Sequence, residues 1–297
     1  MVDAADQPVR APIERLSAYD AGVDSRRLVV VVRGVGDVGS AVAHLLFGAG
    51  YGVVMVDGPQ PTTTRRGMAF ADAVFDGQAI LDGVRAMRAA NLRHVRQALG
   101  ERDAIPVYVR AWSALIESLE PAVLVDARMQ KHVEPEVQRG LARLTIGLGP
   151  SVVAGHHADV VVETSWEGLG QVIHHGAARE LAGEPRDLGG HARERYVYAP
   201  CDGRFRTEAS LGDRVRKGQE IAAIGAMRLA APLDGVLRGL VRDGVPVAVR
   251  TKLIEVDPRG DPAAVVGLGE RPRRIAHGVL LAINAWRMGV QSILGPA

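Results

Sequence analysis

Apolar positions along this chain change their period several times, and each change marks an element. Residues 28–32 read LVVVV, the pattern of a strand buried on both faces of a sheet. From there Val38, Val42, Leu45 and Leu46 recur at helical spacing, and residues 52–56 form a second β run. Downstream, residues 105–109 and 122–125 are compact apolar runs flanking a helical stripe of Trp112, Leu115, Ile116 and Leu119. Residues 144–148 and 160–162 add two short strands, while residues 84–99 fit either one helix or a short strand followed by a helix. Strands alternating with helices predict an α/β fold with a Rossmann-like, mainly parallel, doubly wound sheet.

The turn after the first strand sharpens that prediction. Gly34, Gly36 and Gly39 give G-x-G-x-x-G between a strand and a helix, with Asp37 inside the motif. Asp57 ends the second strand 18 residues past Gly39, near the spacing at which an acidic side chain meets a ribose hydroxyl. Just beyond it, Arg65 and Arg66 stand where arginines can meet a phosphate. Ligands of such sheets gather outside the carboxyl ends of the strands. That rule selects Asp126 with Arg128 and Lys131, then Gly147 and Gly149 in a GLGPS loop, then Glu163 and Thr164. The glycine turns would bring backbone amides to a phosphate, Asp57 would accept from a diol, and the basic residues would neutralise charge.

The second half of the chain is patterned differently. Residues 183–195 have the Gly, Pro and charge content of a linker. Then Ala199-Pro200-Cys201-Asp202-Gly203 recurs 32 residues on as Ala231-Pro232-Leu233-Asp234-Gly235, and Gly212 with Gly244 and Val215 with Val247 keep the same offset. Two short-stranded halves predict a small all-β, quasi-twofold barrel-sandwich module. It resembles the biotinyl and lipoyl carrier domains in its APxDG and GDxVxxG motifs. The hairpin joining the halves, residues 225–228, reads GAMR and carries no lysine, and arginine cannot form the carrier amide, so no biotin or lipoate is expected. In the tail Ile275, Val279, Ile283 and Trp286 share one face of an amphipathic helix that covers a sheet or a partner. The expected division is a lead-in at 1–27 with a short helix near Ile13, a Rossmann-like domain at 28–182, a linker at 183–195, the small β domain at 196–260, and a helical tail at 261–297.

Composition narrows the class of protein. With 36 Lys and Arg against 34 Asp and Glu, and 4% aromatic residues, neither charge nor stacking surface favours nucleic acid. No apolar run reaches the length of a membrane span, and the N-terminal residues lack the apolar core of a secretion signal. With Cys201 the only cysteine, a reducing, cytoplasmic setting is expected. The adjacent pairs His156-His157 and His174-His175 point their side chains apart and do not have zinc-site spacing, so no metal is expected. Cys201 has no identifiable activating partner for a nucleophilic role.

The assembled motifs resemble a known family. RGVGDVGS at 33–40, the Arg65-Arg66 pair followed by FADAV, GLGP at 147–150 with Val162-Glu163-Thr164, APLDGVLRGL at 231–240 and VDPRGD at 256–261 together are similar to the YqeB-like accessory proteins of selenium-dependent molybdenum hydroxylases. Ser151-Val152 departs from the family's usual glycine and aromatic residue after GLGP. The first domain of that family is similar to the Rossmann domain of the XdhC and CoxI accessory proteins, which help mature and insert the molybdenum cofactor. The resemblance implies an accessory protein that binds molybdopterin or its cytosine dinucleotide, with a molybdenum hydroxylase or another cofactor-maturation protein as partner. Two rivals stay open: an NAD(P)-dependent oxidoreductase, although no Tyr-x-x-x-Lys pair is present, and a scaffold that docks a hydroxylase subunit through the small module. Whether a reaction is catalysed and whether the chain forms a homo-oligomer are left open by the sequence.

Overall fold

The computed structural model describes residues 28–130, 133–180 and 185–289. Its larger module is a nine-stranded sheet built from β1 (Val29–Arg33), β2 (Gly52–Val56), β3 (Gln78–Leu81), β4 (Val84–Ala89), β5 (Ile105–Tyr108), β6 (Val123–Asp126), β7 (Leu144–Leu148), β9 (Val160–Val162) and β10 (Val172–Ile173). The strand β8 (Val153–Ala154) pairs apart from it with β11 (Gly176–Ala177). Across the sheet the order is β10-β9-β7-β6-β1-β2-β5-β4-β3, with parallel neighbours everywhere except the two edge pairs, β3 with β4 and β9 with β10. The chain leaves β1 toward β2 on one side and returns after β5 to place β6 on the other. The carboxyl ends of β1 and β6 therefore flank the point where strand order reverses, the position at which such sheets bind ligands.

The buried valines of β1 explain why this strand is central. Val30 and Val32 face a core shared with α1 (Asp37–Gly48) and α5 (Glu270–Arg287), while Val31 faces a second core under α3 (Leu92–Glu101) and α4 (Trp112–Leu119). A short helix, α2 (Ala73–Asp76), leads into β3. The ambiguous stretch at 84–99 resolves as a strand followed by a helix, with Asn91 capping α3 through the His94 amide at 3.0 Å. The hairpin of β3 and β4, which periodicity alone does not reveal, extends the sheet by an antiparallel edge. The tail helix starts at Glu270 and packs against α1 and the β7, β9 and β10 side of the sheet. Gly278 is needed there, because a Cβ would overlap the carbonyl of Gly170. The expected lead-in helix near Ile13, and the end of the tail past residue 289, lie outside the described residues.

The smaller module holds two four-stranded sheets around one core that includes Phe205, Leu237, Leu240, Leu253 and Ile254. Its strands are β12 (Tyr196–Tyr198), β13 (Gly203–Thr207), β14 (Arg214–Val215), β15 (Glu220–Ile224), β16 (Met227–Ala230), β17 (Gly235–Leu240), β18 (Pro246–Val247) and β19 (Lys252–Asp257). The sequence repeat appears as reciprocal pairing: β13 pairs with β18, and β17, one repeat later, pairs back with β14. The hydrogen bonds obey the same symmetry. The Gly212 amide donates to Leu237 O at 2.9 Å and the Gly244 amide to Phe205 O at 2.8 Å. Asp234 accepts from the Lys217 amide and Asp202 from the Val249 amide, both at 2.7 Å. Only a two-residue turn, Gly225-Ala226, separates β15 from β16.

The two modules touch directly. The Leu240 amide at the end of β17 donates to Thr64 O at 2.8 Å, and Arg66 Nε donates to Leu240 O at 2.8 Å. Arg195, the last residue of the expected linker, is itself buried at this junction.

The repeat also predicts a stability change. Gly218 and Arg250 occupy equivalent positions, with φ of +83° and +68°. A left-handed arginine carries a steric cost of roughly 1–2 kcal/mol that glycine escapes, offset in part by glycine's extra unfolded-state freedom. Arg250→Gly should stabilise the protein by about 0.5–1 kcal/mol in urea unfolding.

Candidate functional site

The turn from β1 into α1 uses its three glycines for different purposes. Gly34 has φ of +108°, and a Cβ there would sit about 3.0 Å from Ala127 O on the β6 loop. A Cβ on Gly39 would overlap the carbonyl of Gly34, so this glycine lets the helix lie against the turn. Gly36 differs: it is the N-cap of α1, its φ of −68° suits any residue, and a Cβ would meet nothing nearer than Thr63 Oγ1 at 4.0 Å. Its hydrogen therefore faces open space. Asp57 ties the second strand to this turn, accepting from the Val35 amide at 2.9 Å and the Gly58 amide at 2.7 Å. Burial pushes its carboxyl above the ordinary range, partly offset by those two amides.

Beside the turn, at the ends of β1 and β6, lies a charge network. Asp126 accepts two bonds from the Arg128 guanidinium, at 2.9 and 2.6 Å, and a third from Gln138. Glu136 bridges Arg128 at 3.0 Å and Arg33 at 2.7 Å. Burial lowers the pKa of Arg33, while those two guanidiniums outweigh Glu136's own burial and hold it below the usual carboxylate range. Arg33 also stacks 3.8 Å from the Trp112 ring. Sequence reading placed Asp126 and Arg128 here but passed over Arg33 and Glu136; the signal for Arg33 was a charge closing a run of valines. Lys131 lies outside the described residues.

Arg65 and Arg66 were expected to neutralise phosphate from beyond β2, and their groups are engaged elsewhere. Arg66 gives two bonds to Asp72, at 2.9 and 2.7 Å, and a third to Leu240 O. Arg65 forks onto Glu255 of β19 at 2.8 and 3.0 Å and reaches Asp37 at 3.1 Å. Glu255 is fully buried and is also bonded by Arg195 at 2.9 Å, with Arg238 and Lys252 at 3.7 and 3.9 Å. Despite the burial, this positive surround keeps its carboxyl far below the usual range. Asp37 is likewise held down, by Arg65, Lys252 and Arg271, against its own desolvation. The only sequence trace of Glu255 is a charge interrupting the apolar run LIEV.

The remaining expected residues serve their own loops. A Cβ on Gly147 would press on the Val152 side chain, and Gly149, with φ of +122°, packs beside Met129. Glu163 is filled by the amides of Thr164 and Ser165 at 2.7 Å and of Arg179 at 2.9 Å. Thr164 offers its carbonyl to Arg271 at 2.9 and 2.8 Å. His157 accepts from the Val153 amide through Nδ1 at 3.0 Å, in a small pocket shared with Asp126 and Gln138. Among the described residues no group of His, Cys, Asp and Glu is arranged to hold a metal ion, and no helix is long and apolar enough to cross a membrane.

No protein-family model matches the chain. It is 40% identical over 258 residues to the uncharacterized protein YqeB of Escherichia coli K12, a match covering 86% of this chain. Most of the chain is similar to YqeB. It spans 47% of that relative's length. A solved structure, the product-bound ectoine utilization protein EutE (DoeB) from Ruegeria pomeroyi, is 14% identical and covers 77% of this chain and 84% of its own, but with a TM-score of 0.24 it supports no argument.

The arrangement offers an open backbone approach at Gly36, an acidic acceptor at Asp57 and mixed charge on either side. Two predictions separate packing from binding. Gly39→Ala should cost about 3 kcal/mol or more through backbone overlap, whereas Gly36→Ala should stay within about 0.5 kcal/mol of wild type, both read by urea unfolding. Glu255→Gln strands buried guanidiniums and should cost about 3–5 kcal/mol at pH 7. Because the folded pKa of Glu255 lies below its ordinary 4.5, its stabilisation is complete above that value and is lost as pH falls through the folded one. The stability gap between Glu255→Gln and wild type should therefore narrow in acid, as urea titrations at stepped pH would show.

Proposed function

We propose that the protein binds a phosphate-bearing pterin or nucleotide at the carboxyl edge of its parallel sheet, acting as an accessory protein in maturation or insertion of a molybdenum cofactor. One observation carries the binding part of this reading. At the crossover between β1 and β6, Gly36 leaves its backbone open to a ligand, with Asp57 bonded beneath the turn and the Asp126-Arg128 pair next to it. An α1 N-terminus without a side-chain cap favours negative charge at that place. Asp57, kept in position by two amides, has lone pairs left to accept from a ligand hydroxyl. The cofactor part rests on the family resemblance, which makes molybdopterin or its cytosine dinucleotide the ligand and a molybdenum hydroxylase, or another maturation protein, the recipient. The smaller module, read as a barrel-sandwich without a carrier lysine, closes over this edge rather than carrying a swinging arm.

Titration calorimetry with molybdopterin and with its cytosine dinucleotide tests the reading. Micromolar binding that Gly36→Val weakens at least tenfold is the expected result. No heat at concentrations well above micromolar would overturn it. A parallel fluorescence titration in which NADH or NADPH binds and the pterins do not would assign the edge to an oxidoreductase instead.

A further inference from the structure

The junction between the modules holds more positive charge than its carboxylates balance. Arg65, Arg195, Arg238 and Lys252 all lie within 4 Å of Glu255, at 2.8, 2.9, 3.7 and 3.9 Å. Arg271 lies close enough to feel Asp37 and Arg65, and among the described residues its fork meets the Thr164 carbonyl. Among the described residues, Glu255 and Asp37 stand directly against these cations. Of the nearby acids, Asp257 gives both oxygens to Arg259 at 3.0 and 2.7 Å while adding to the field on Arg238, and Glu163, though bonded by backbone amides, keeps a charge that Arg271 feels, so the cations still outnumber the carboxylates.

Arg238 is the least satisfied member. Among the described residues its Nε is buried with no hydrogen-bond partner, one terminal nitrogen stands 3.7 Å from Glu255, and the other stands 3.9 Å from Met68 Sδ. A guanidinium carries five donors, and leaving them unmade in a buried place is costly. The cluster is not sealed. Its rim side chains Arg238, Arg65, Asp37 and Lys252 retain 15, 23, 25 and 34% exposure. Asp37 opens α1 next to Gly36, so the rim adjoins the glycine turn.

We propose that this junction binds a dianionic phosphate group, held by Arg238 with Arg271 and Lys252, between the glycine turn and the smaller module. Two negative charges offset the surplus better than a monoanionic carboxylate would, and the planar guanidinium fork matches phosphate oxygens. The proposal rests on the reading that the carboxyl edge is the ligand edge, and it deepens that reading by naming the groups that take the phosphate. They are not Arg65, Arg66 or Arg128, whose donors serve Glu255 with Asp37, Asp72 with the Leu240 carbonyl, and Asp126.

Thermal unfolding and calorimetry of the full chain test this with inorganic phosphate, cytidine 5′-monophosphate and cytidine, at ionic strength held constant with sodium chloride. Wild type should be stabilised by inorganic phosphate or by the nucleotide and not by cytidine. Tighter binding of the nucleotide would show that the phosphate is borne on a nucleotide, and tighter binding of inorganic phosphate that it is free. Arg238→Gln should weaken that binding at least tenfold while unfolding no earlier than wild type without ligand, since it removes an incompletely paired, mostly covered cation. Should that variant fail to fold, Lys252→Gln, with a side chain one-third exposed, should also weaken phosphate binding at least tenfold. No phosphate-specific stabilisation of wild type, or equal stabilisation of the folded variants, would overturn the proposal. Pterin binding unchanged by Arg238→Gln would sink this inference alone, whereas phosphate binding lost in Arg238→Gln without any pterin binding would sink the functional reading and leave this one.

Discussion

A single buried carboxylate holds the two modules in register. Glu255 sits in the middle of β19 with no exposure, and its oxygens meet Arg65 from the loop after β2 and Arg195 from the segment entering the smaller module. A carboxylate removed from water is tolerable only with charge partners and good geometry. Those partners come from both modules, so the docked arrangement is a condition for burying Glu255 at all. The backbone bonds between Thr64 and Leu240, and the closed Arg66-Asp72 pair beside them, then fix the distance.

That docking changes what the carboxyl edge of the sheet can be. In an open α/β sheet the crevice at the strand crossover faces solvent. Here β17 and β19 bring Arg238, Lys252 and Glu255 against the start of α1, where Asp37 and Arg65 already stand. The edge becomes a junction lined by arginines, with the glycine turn along its rim. Charge that would be weak at an open surface acts here in a drier setting, where each unpaired donor counts for more.

The smaller module shows how a repeat can persist in structure while its chemistry changes. Reciprocal bonds of Gly212 with Leu237 and of Gly244 with Phe205, and of Asp234 and Asp202 with the amides one repeat apart, keep the two halves equivalent. The equivalence fails on the surface that meets the larger module. Arg206 of the first half pairs with Asp243 and is largely exposed, while Arg238, its counterpart in the second half, is mostly covered at the junction. One half has been adapted to dock and the other left to solvent.

By itself the sequence determined the alternation of strands and helices, the glycine turn, Asp57 at the end of the second strand and the internal repeat. Each is a local pattern: a run of valines, a fixed glycine spacing, a constant offset. Gly34, Gly39 and Asp57 accordingly met where spacing predicted. Tertiary structure alone decided which charges are free and which are spent. Arg65 looks like a phosphate ligand until a glutamate 190 residues away closes on it, and Arg195 looks like part of a linker until it is buried against the same carboxylate. Sequence reports the type of a charged residue and its place on an element. Whether its donors are filled depends on partners brought from distant segments, and only the packed chain supplies those.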